Sequence, residues 1–174
     1  MQPGWNYPSE EWIESAELKA EIEGRLDPAL PGGEPPRDAV ERIAFAELLY
    51  AKARCAESAR MYADAFAEDA ALAEDLVKSH RYNAACAAAL ATVGGEAGAA
   101  EWRGRALEWL RADLAAREKA PSGLVTVLER AKRDPDLAAV RDGLDALPEP
   151  EREAWRSLWA AVDRTLEAAR SAAK

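Results

Sequence analysis

The chain has 174 residues, of which 32% are charged, and a formal net charge of −9 at pH 7. This length suits one domain or one short solenoid, and the acidic balance argues against binding to nucleic acid. The alanine-rich composition favours helix nearly throughout. No apolar run approaches the roughly 18 residues that cross a bilayer, and the chain starts without a leader-like segment. With two cysteines, we expect a cytoplasmic protein that binds neither nucleic acid nor membrane.

The first 36 residues are predicted to form a segment distinct from the rest of the chain. Trp5 and Tyr7 lie in a proline-flanked start that is either disordered or packed on the domain surface. Ser9 is a suitable N-cap for a helix that runs to about Leu26. Prolines and glycines from Asp27 to Arg37 then predict a linker. We therefore divide the chain into residues 1–36 and a helical repeat domain at 37–174.

Helical periodicity, capping residues and Pro or Gly breaks place the remaining elements. We expect no strand. The predicted helices run over Asp38–Ala53, from near Arg54 to Glu68, from Leu72 through His80 to Thr92, over Ala99–Lys119, from Pro121 to about Ala131, and from Asp134-Pro135 to near Gly143, with a last helix that Pro148 and Pro150 precede. The last helix carries apolar residues at Trp155, Leu158, Trp159, Val162 and Leu166.

Small and large residues recur in two successive helix pairs. Ala46 and Ser58 mark a close approach in the first pair, and Ala85 and Ala106 mark one in the second. The pattern, with the segment RYNAACAAAL, resembles tetratricopeptide repeats, which stack antiparallel helical hairpins in a right-handed array. Alanine-rich amphipathic helices also produce such a pattern by chance. We expect one continuous core that contains Phe45, Leu49, Tyr62, Ala65, Ala85, Ala106 and Leu110, closed by the C-terminal helix.

A second resemblance covers about Pro36 to Ala169. The segments that carry it are ELLYAKARCAESARMYADAF, HRYNAACAAAL, ALEWLRADLAA, DPDLAAVRD and LPEPEREAWRSLWAAVD. They are similar to the non-catalytic repeat region of large planctomycete-type serine/threonine protein kinases, although Cys55 stands where that family usually has Tyr. The chain has no Gly-rich loop, HRD or DFG motif. The resemblance thus implies a non-enzymatic interaction module, or alternatively a regulatory or substrate-recruiting segment of a kinase system.

The leading helices should line the inner surface of such a stack. The groove residues that this nominates are Ile43, Glu47, Tyr50, Tyr82, Asn83 and Cys86. The two tyrosines suit either core packing or a groove in which they stack and donate hydrogen bonds. A carboxylate clamp of the kind found in some tetratricopeptide proteins is not expected, because Ile43 and Glu47 stand at the positions that need Lys and Asn. We expect a basic or neutral peptide or protein partner, a serine/threonine kinase among the candidates.

No set of residues predicts catalysis, a cofactor or a metal. His80 is the single histidine, and its spacing from Cys86 places the two on different helix faces. One histidine and two cysteines make a poor metal set. The basic run Arg130, Lys132 and Arg133 is interpreted as a solvated helix end. The sequence leaves the oligomeric state open, with a monomer favoured.

Overall fold

The computed structural model describes residues 13, 17, 20–26, 34–93 and 98–172. Every regular element among these residues is helical, so the described fold is all-α. The helices are α1 (Ala39–Ala51), α2 (Cys55–Glu68), α3 (Ala71–Glu74), α4 (His80–Leu90), α5 (Ala99–Lys119), α6 (Leu124–Ala131), α7 (Ala138–Arg141) and α8 (Glu149–Ala172), with 3-10 turns at Pro135–Leu137 and Leu144–Ala146 and a helical segment at 20–25.

Helices α1 and α2 form the first predicted hairpin. Asp38 caps α1, since its carboxylate accepts a hydrogen bond from the Glu41 amide at 2.8 Å. A short turn at 52–54 returns the chain, and α2 packs along α1. The Ser58 hydroxyl donates to the Ala46 carbonyl at 2.7 Å, with both residues fully buried. The predicted close approach of Ala46 and Ser58 is confirmed.

The single helix predicted from Leu72 to Thr92 is wrong. Helix α3 ends at Glu74, and α4 begins only at His80. The Asp75 carboxylate accepts hydrogen bonds from the Val77 and Lys78 amides, each at 3.0 Å, so it offers the backbone an alternative to the helical ladder. Ser79 then adopts a left-handed conformation with φ 58°. These local bonds turn the chain and let α4 start in a new direction.

Helix α4 lies at the centre of the fold. It packs against α2 on one side and α5 on the other, and also contacts the 135–137 turn. Its residues from Ala84 to Ala89 are all buried. Six consecutive buried positions span more than one turn of 3.6 residues, so every face of this part of the helix is covered. Side chains the size of alanine make that enclosure sterically possible.

Two hydrophobic clusters replace the one continuous core that the sequence predicts. All seven predicted core residues are buried, but Phe45 and Leu49 pack with Ile22 and Leu26 in a separate cluster. The physical reason is that α1 is covered on two faces. Ala46 faces the main cluster, whereas Phe45 and Leu49, four residues apart, form a stripe that meets the helical segment at 20–25.

A buried ion pair lies beside this second cluster. The Arg25 guanidinium donates to the Glu41 carboxylate at 2.5 Å, and both side chains are more than nine-tenths buried. The hydrogen bond from Arg25 holds the pKa of Glu41 below its usual value. The segment at 20–26 is therefore attached to α1 by apolar packing and by charge. The division at residue 36 stays a prediction, and Trp5, Tyr7, Gly94 and Gly95 lie outside the described residues.

The C-terminal half follows the predicted pattern closely. Gly98 and Gly123, which precede α5 and α6, have φ values of 92° and 69° that glycine adopts without strain. Helix α8 packs against α5 and α6. It buries four of the five predicted apolar positions, while Trp159 is half-buried and donates its indole N–H to the Val140 carbonyl at 2.8 Å. Among the described helices, none combines the length and apolar character that crossing a bilayer requires.

Enlarging Ala85 should destabilise the fold. Ala85 has no exposed surface, so Ala85→Leu inserts a branched side chain where two helices meet. Such overpacking lowers the free energy of unfolding by about 1–3 kcal/mol. Urea denaturation checks this. The matched control Ala115→Leu lies on an exposed position of α5 and should change stability by less than about 0.5 kcal/mol. Equal effects of the two variants would contradict the enclosure of α4.

Candidate functional site

One concave site gathers most of the predicted groove residues. It is a cleft of about 190 Å³ between α1, α2, α4 and the 135–137 turn. We call it the tyrosine cleft, and its lining residues are Glu47, Tyr50, Tyr62, Tyr82, Asn83, Cys86, Arg130, Asp134 and Asp136. Five of the six nominated residues are in this set.

Ile43 is the exception among the nominated residues. It is not among the residues that line the cleft, and it is buried in the main hydrophobic cluster, as Tyr82 and Cys86 also are. The half-buried nominated residues of the cleft are Glu47, Tyr50 and Asn83. Glu47, one turn further along α1, does line it. An isoleucine gains more from burial among apolar side chains than from exposure at a polar wall. The groove therefore begins at Glu47 and not at Ile43.

Two tyrosine–aspartate hydrogen bonds close one side of the cleft. The Tyr82 hydroxyl donates to the Asp134 carboxylate at 2.7 Å, and the Tyr50 hydroxyl donates to Asp136. Asp134 also caps the following turn, as predicted, by accepting from the Asp136 amide at 3.1 Å. The Arg141 side chain in turn donates to the Asp134 carbonyl at 2.8 Å. These bonds attach the 134–136 segment to both α1 and α4.

The sequence does not reveal these pairs because the partners are far apart along the chain. Asp134 lies 52 residues from Tyr82, and Asp136 lies 86 residues from Tyr50. Asp134 was identifiable as a helix cap, but nothing in a capping pattern indicates a second, distant hydrogen-bond partner. Tyr62 was identifiable only as a core residue.

Arg130 was interpreted as part of a solvated helix end, and the structure assigns it a further contact. Its side chain is exposed, and its guanidinium carbon lies 5.6 Å from the centre of the Tyr82 ring. That separation is within cation–π range. Its neighbours in the basic run are occupied elsewhere, since Lys132 pairs with Asp163 and Arg133 pairs with Glu129. Arg130 thus forms part of the cleft, whereas Lys132 and Arg133 do not line it.

The hydroxyl and thiol groups of the cleft are held in their neutral forms. Burial, reinforced by nearby carboxylates, raises the pKa of Tyr50 and of Tyr82 well above the ordinary tyrosine value. Burial likewise raises the pKa of Tyr62 and of the Cys86 thiol. At neutral pH these hydroxyl and thiol groups are therefore protonated, and those of Tyr50 and Tyr82 donate hydrogen bonds to Asp136 and Asp134.

Three possible metal ligands meet in this cleft. Atoms of Cys86, Asp134 and Asp136 lie within 4.8 Å of one another. The two carboxylates already accept the tyrosine hydrogen bonds, and the raised pKa of the Cys86 thiol opposes the deprotonation that metal binding requires. One soft and two hard donors also suit no particular metal. The hydrogen bonds of the two aspartates with the tyrosines are sufficient to explain why these three side chains lie close together.

Comparison of the chain with family models, curated proteins and solved structures gave no match. The resemblance to tetratricopeptide repeats and to kinase-associated repeat regions therefore stays a prediction.

Removing the Tyr82 hydroxyl should weaken the attachment of the 134–136 segment. Tyr82 is 4% exposed, and Tyr82→Phe leaves the buried Asp134 carboxylate without one donor. Hydrogen bonds to charged groups contribute about 1.5–3 kcal/mol, and we expect a loss of that size in urea unfolding. Tyr50→Phe is the comparison, because Tyr50 is half-buried and its loss should cost less. A Tyr82→Phe variant as stable as the native chain would show that the hydrogen bond between Tyr82 and Asp134 does not stabilise the fold.

His80 should make the stability of the chain depend on pH. Burial lowers the pKa of His80 from its ordinary value of 6.5. The unfolded chain therefore takes up a proton at a pH where the folded chain does not, so the free energy of unfolding should fall as the pH drops from about 7.5 to 5.5. For one proton the slope is at most about 1.4 kcal/mol per pH unit.

Urea unfolding at a series of pH values measures this effect. Because His80 is the single histidine, His80→Gln should flatten the curve over that interval. A pH dependence that persists in His80→Gln would assign it to another group.

Proposed function

We propose that this chain is a non-catalytic protein-interaction module, a tetratricopeptide-like stack of helical hairpins that binds a peptide or protein segment in the tyrosine cleft. The observation that carries the proposal is the cleft itself, where α1 and α4 converge with five of the nominated residues. The leading helices of two successive hairpins thus contribute to one concave surface, as a peptide-binding repeat requires.

The packing order of the helices supports the proposed architecture. Helix α2 packs against α1 and α4, and α4 packs against α5, so the two hairpins are consecutive layers. The short helix α3 and the turn at 75–79 form an insertion between them. The kinase-linked alternative stays a prediction.

The chemistry of the cleft supports binding more than catalysis. Its four groups with shifted pKa values, three tyrosines and one thiol, are all held protonated. The cleft does contain side chains that suit the binding of a peptide or protein segment. Half-buried Tyr50 offers an aromatic ring, and half-buried Asn83 carries an amide that donates and accepts.

A displayed library of random peptides tests this proposal without assuming the partner. We expect selection on the full chain to enrich peptides that bind saturably and shift the backbone amide resonances of Glu47, Tyr50 and Tyr82–Cys86 in nuclear magnetic resonance spectra. Filling the cleft with Asn83→Trp should abolish binding. The control Asp64→Trp lies on an exposed position of α2, outside the cleft lining, and should bind normally.

Two results would contradict the proposal. One is a selection that enriches no peptide above background. The other is a set of enriched peptides whose resonance shifts map to a different face of the chain.

A further inference from the structure

The tyrosine cleft has an unusual combination of rings and charge. Three tyrosines line it, together with the carboxylates of Glu47, Asp134 and Asp136. The described lining residues therefore include three acidic side chains and one basic side chain, that of Arg130. A concave site with aromatic walls and an excess of negative charge favours a cation, because ring faces and carboxylates both attract positive charge.

The chain itself places a cation on one of these rings. The exposed Arg130 side chain extends from α6 so that its guanidinium carbon lies 5.6 Å from the centre of the buried Tyr82 ring. Tyr82 is 4% exposed and lines the cleft, and its hydroxyl is held by Asp134. This contact is an example, within the chain itself, of a cation placed at the wall of the cleft.

From these observations we propose that the tyrosine cleft binds a lysine or arginine side chain of a partner polypeptide, and that Arg130 competes for the same ring face. The inference rests on the proposed function and specifies its ligand chemistry. The cleft volume of about 190 Å³ is below the range for drug-sized ligands, about 300–1,000 Å³, and suits one long side chain.

Charge also decides which ligands are excluded. A carboxylate that entered the cleft would face Glu47, Asp134 and Asp136, and like charges brought together in this way disfavour binding. The net charge of −9 extends the same preference beyond the cleft, because it attracts basic segments during encounter. Arg130 adds a second level of selection, since an incoming cation must replace its contact with Tyr82.

Titration of the full chain with small probes tests the inference. The probes are N-acetyl-arginine amide, N-acetyl-lysine amide and the neutral N-acetyl-citrulline amide. Binding of each probe is measured by the shifts of the backbone amide resonances of Tyr82, Asn83 and Cys86. We expect saturable shifts from the two cations and none from citrulline. Equal shifts from all three probes, or none from the cations, would overturn the inference.

Variants separate the roles of the ring and the charges. Arg130→Gln should raise affinity for both cationic probes about two- to five-fold, the size of an exposed cation–π contact. Asp136→Asn should lower it by a similar factor, while the asparagine oxygen still accepts from Tyr50. Glu153→Gln is the control, because it removes an exposed acid outside the cleft lining and should have no effect.

An Arg130→Gln variant with unchanged affinity would overturn the competition by Arg130. An Asp136→Asn variant that binds as well as the control would overturn the role of the acidic wall. Thermal unfolding of each variant, followed by circular dichroism, establishes that the comparison is between folded chains.

Selected peptides distinguish failure of this inference from failure of the proposed function. Replacing each lysine or arginine of a cleft-binding peptide with norleucine should identify one position whose loss weakens binding at least about ten-fold. A peptide that binds the cleft without any such position leaves the interaction module in place and overturns the cationic ligand.

Discussion

The enclosure of α4 is the constraint on which the rest of the structure depends. Residues Ala84–Ala89 are buried on all sides, which requires side chains small enough for α2 and α5 to pack closely against one helix. The same packing fixes the position of Tyr82, Asn83 and Cys86. A central helix with larger residues would push the two hairpins apart, and the cleft between α1 and α4 would lose its shape.

The tyrosine–aspartate pairs give the cleft both its structure and its charge. Tyr50 and Tyr82 attach the 134–136 segment to helices α1 and α4. In doing so they bring two carboxylates to the wall of a partly apolar cavity, where a buried charge is tolerated because it is hydrogen-bonded. The proposed preference for cationic ligands rests on the same contacts that stabilise the 134–136 segment.

The N-terminal segment illustrates a different use of charge. Arg25 and Glu41 form a pair that is almost fully buried next to Phe45. The Arg25 guanidinium also lies 5.4 Å from the centre of the Phe45 ring. Removing either partner would leave a buried charge without its closest counter-ion, which is costly, whereas the intact pair specifies one placement of the segment against α1. Helix α1 is thus covered on one face by α2 and on another by residues 20–26.

The sequence by itself determined the all-α class, most helix limits, the helix start at Asp38, the cap at Asp134, the contact of Ala46 with Ser58 and most of the cleft nominations. These features depend on interactions between residues that are close in the sequence or on helical periodicity, and both can be inferred from the order of the residues. Only the tertiary structure decided the break at Asp75–Ser79, the separate cluster around Phe45, the burial of Ile43 and the contacts of Arg130, Asp134 and Asp136 with tyrosines. Those features depend on which side chains that are distant in the sequence contact each other in the folded chain, and residue spacing does not indicate those contacts.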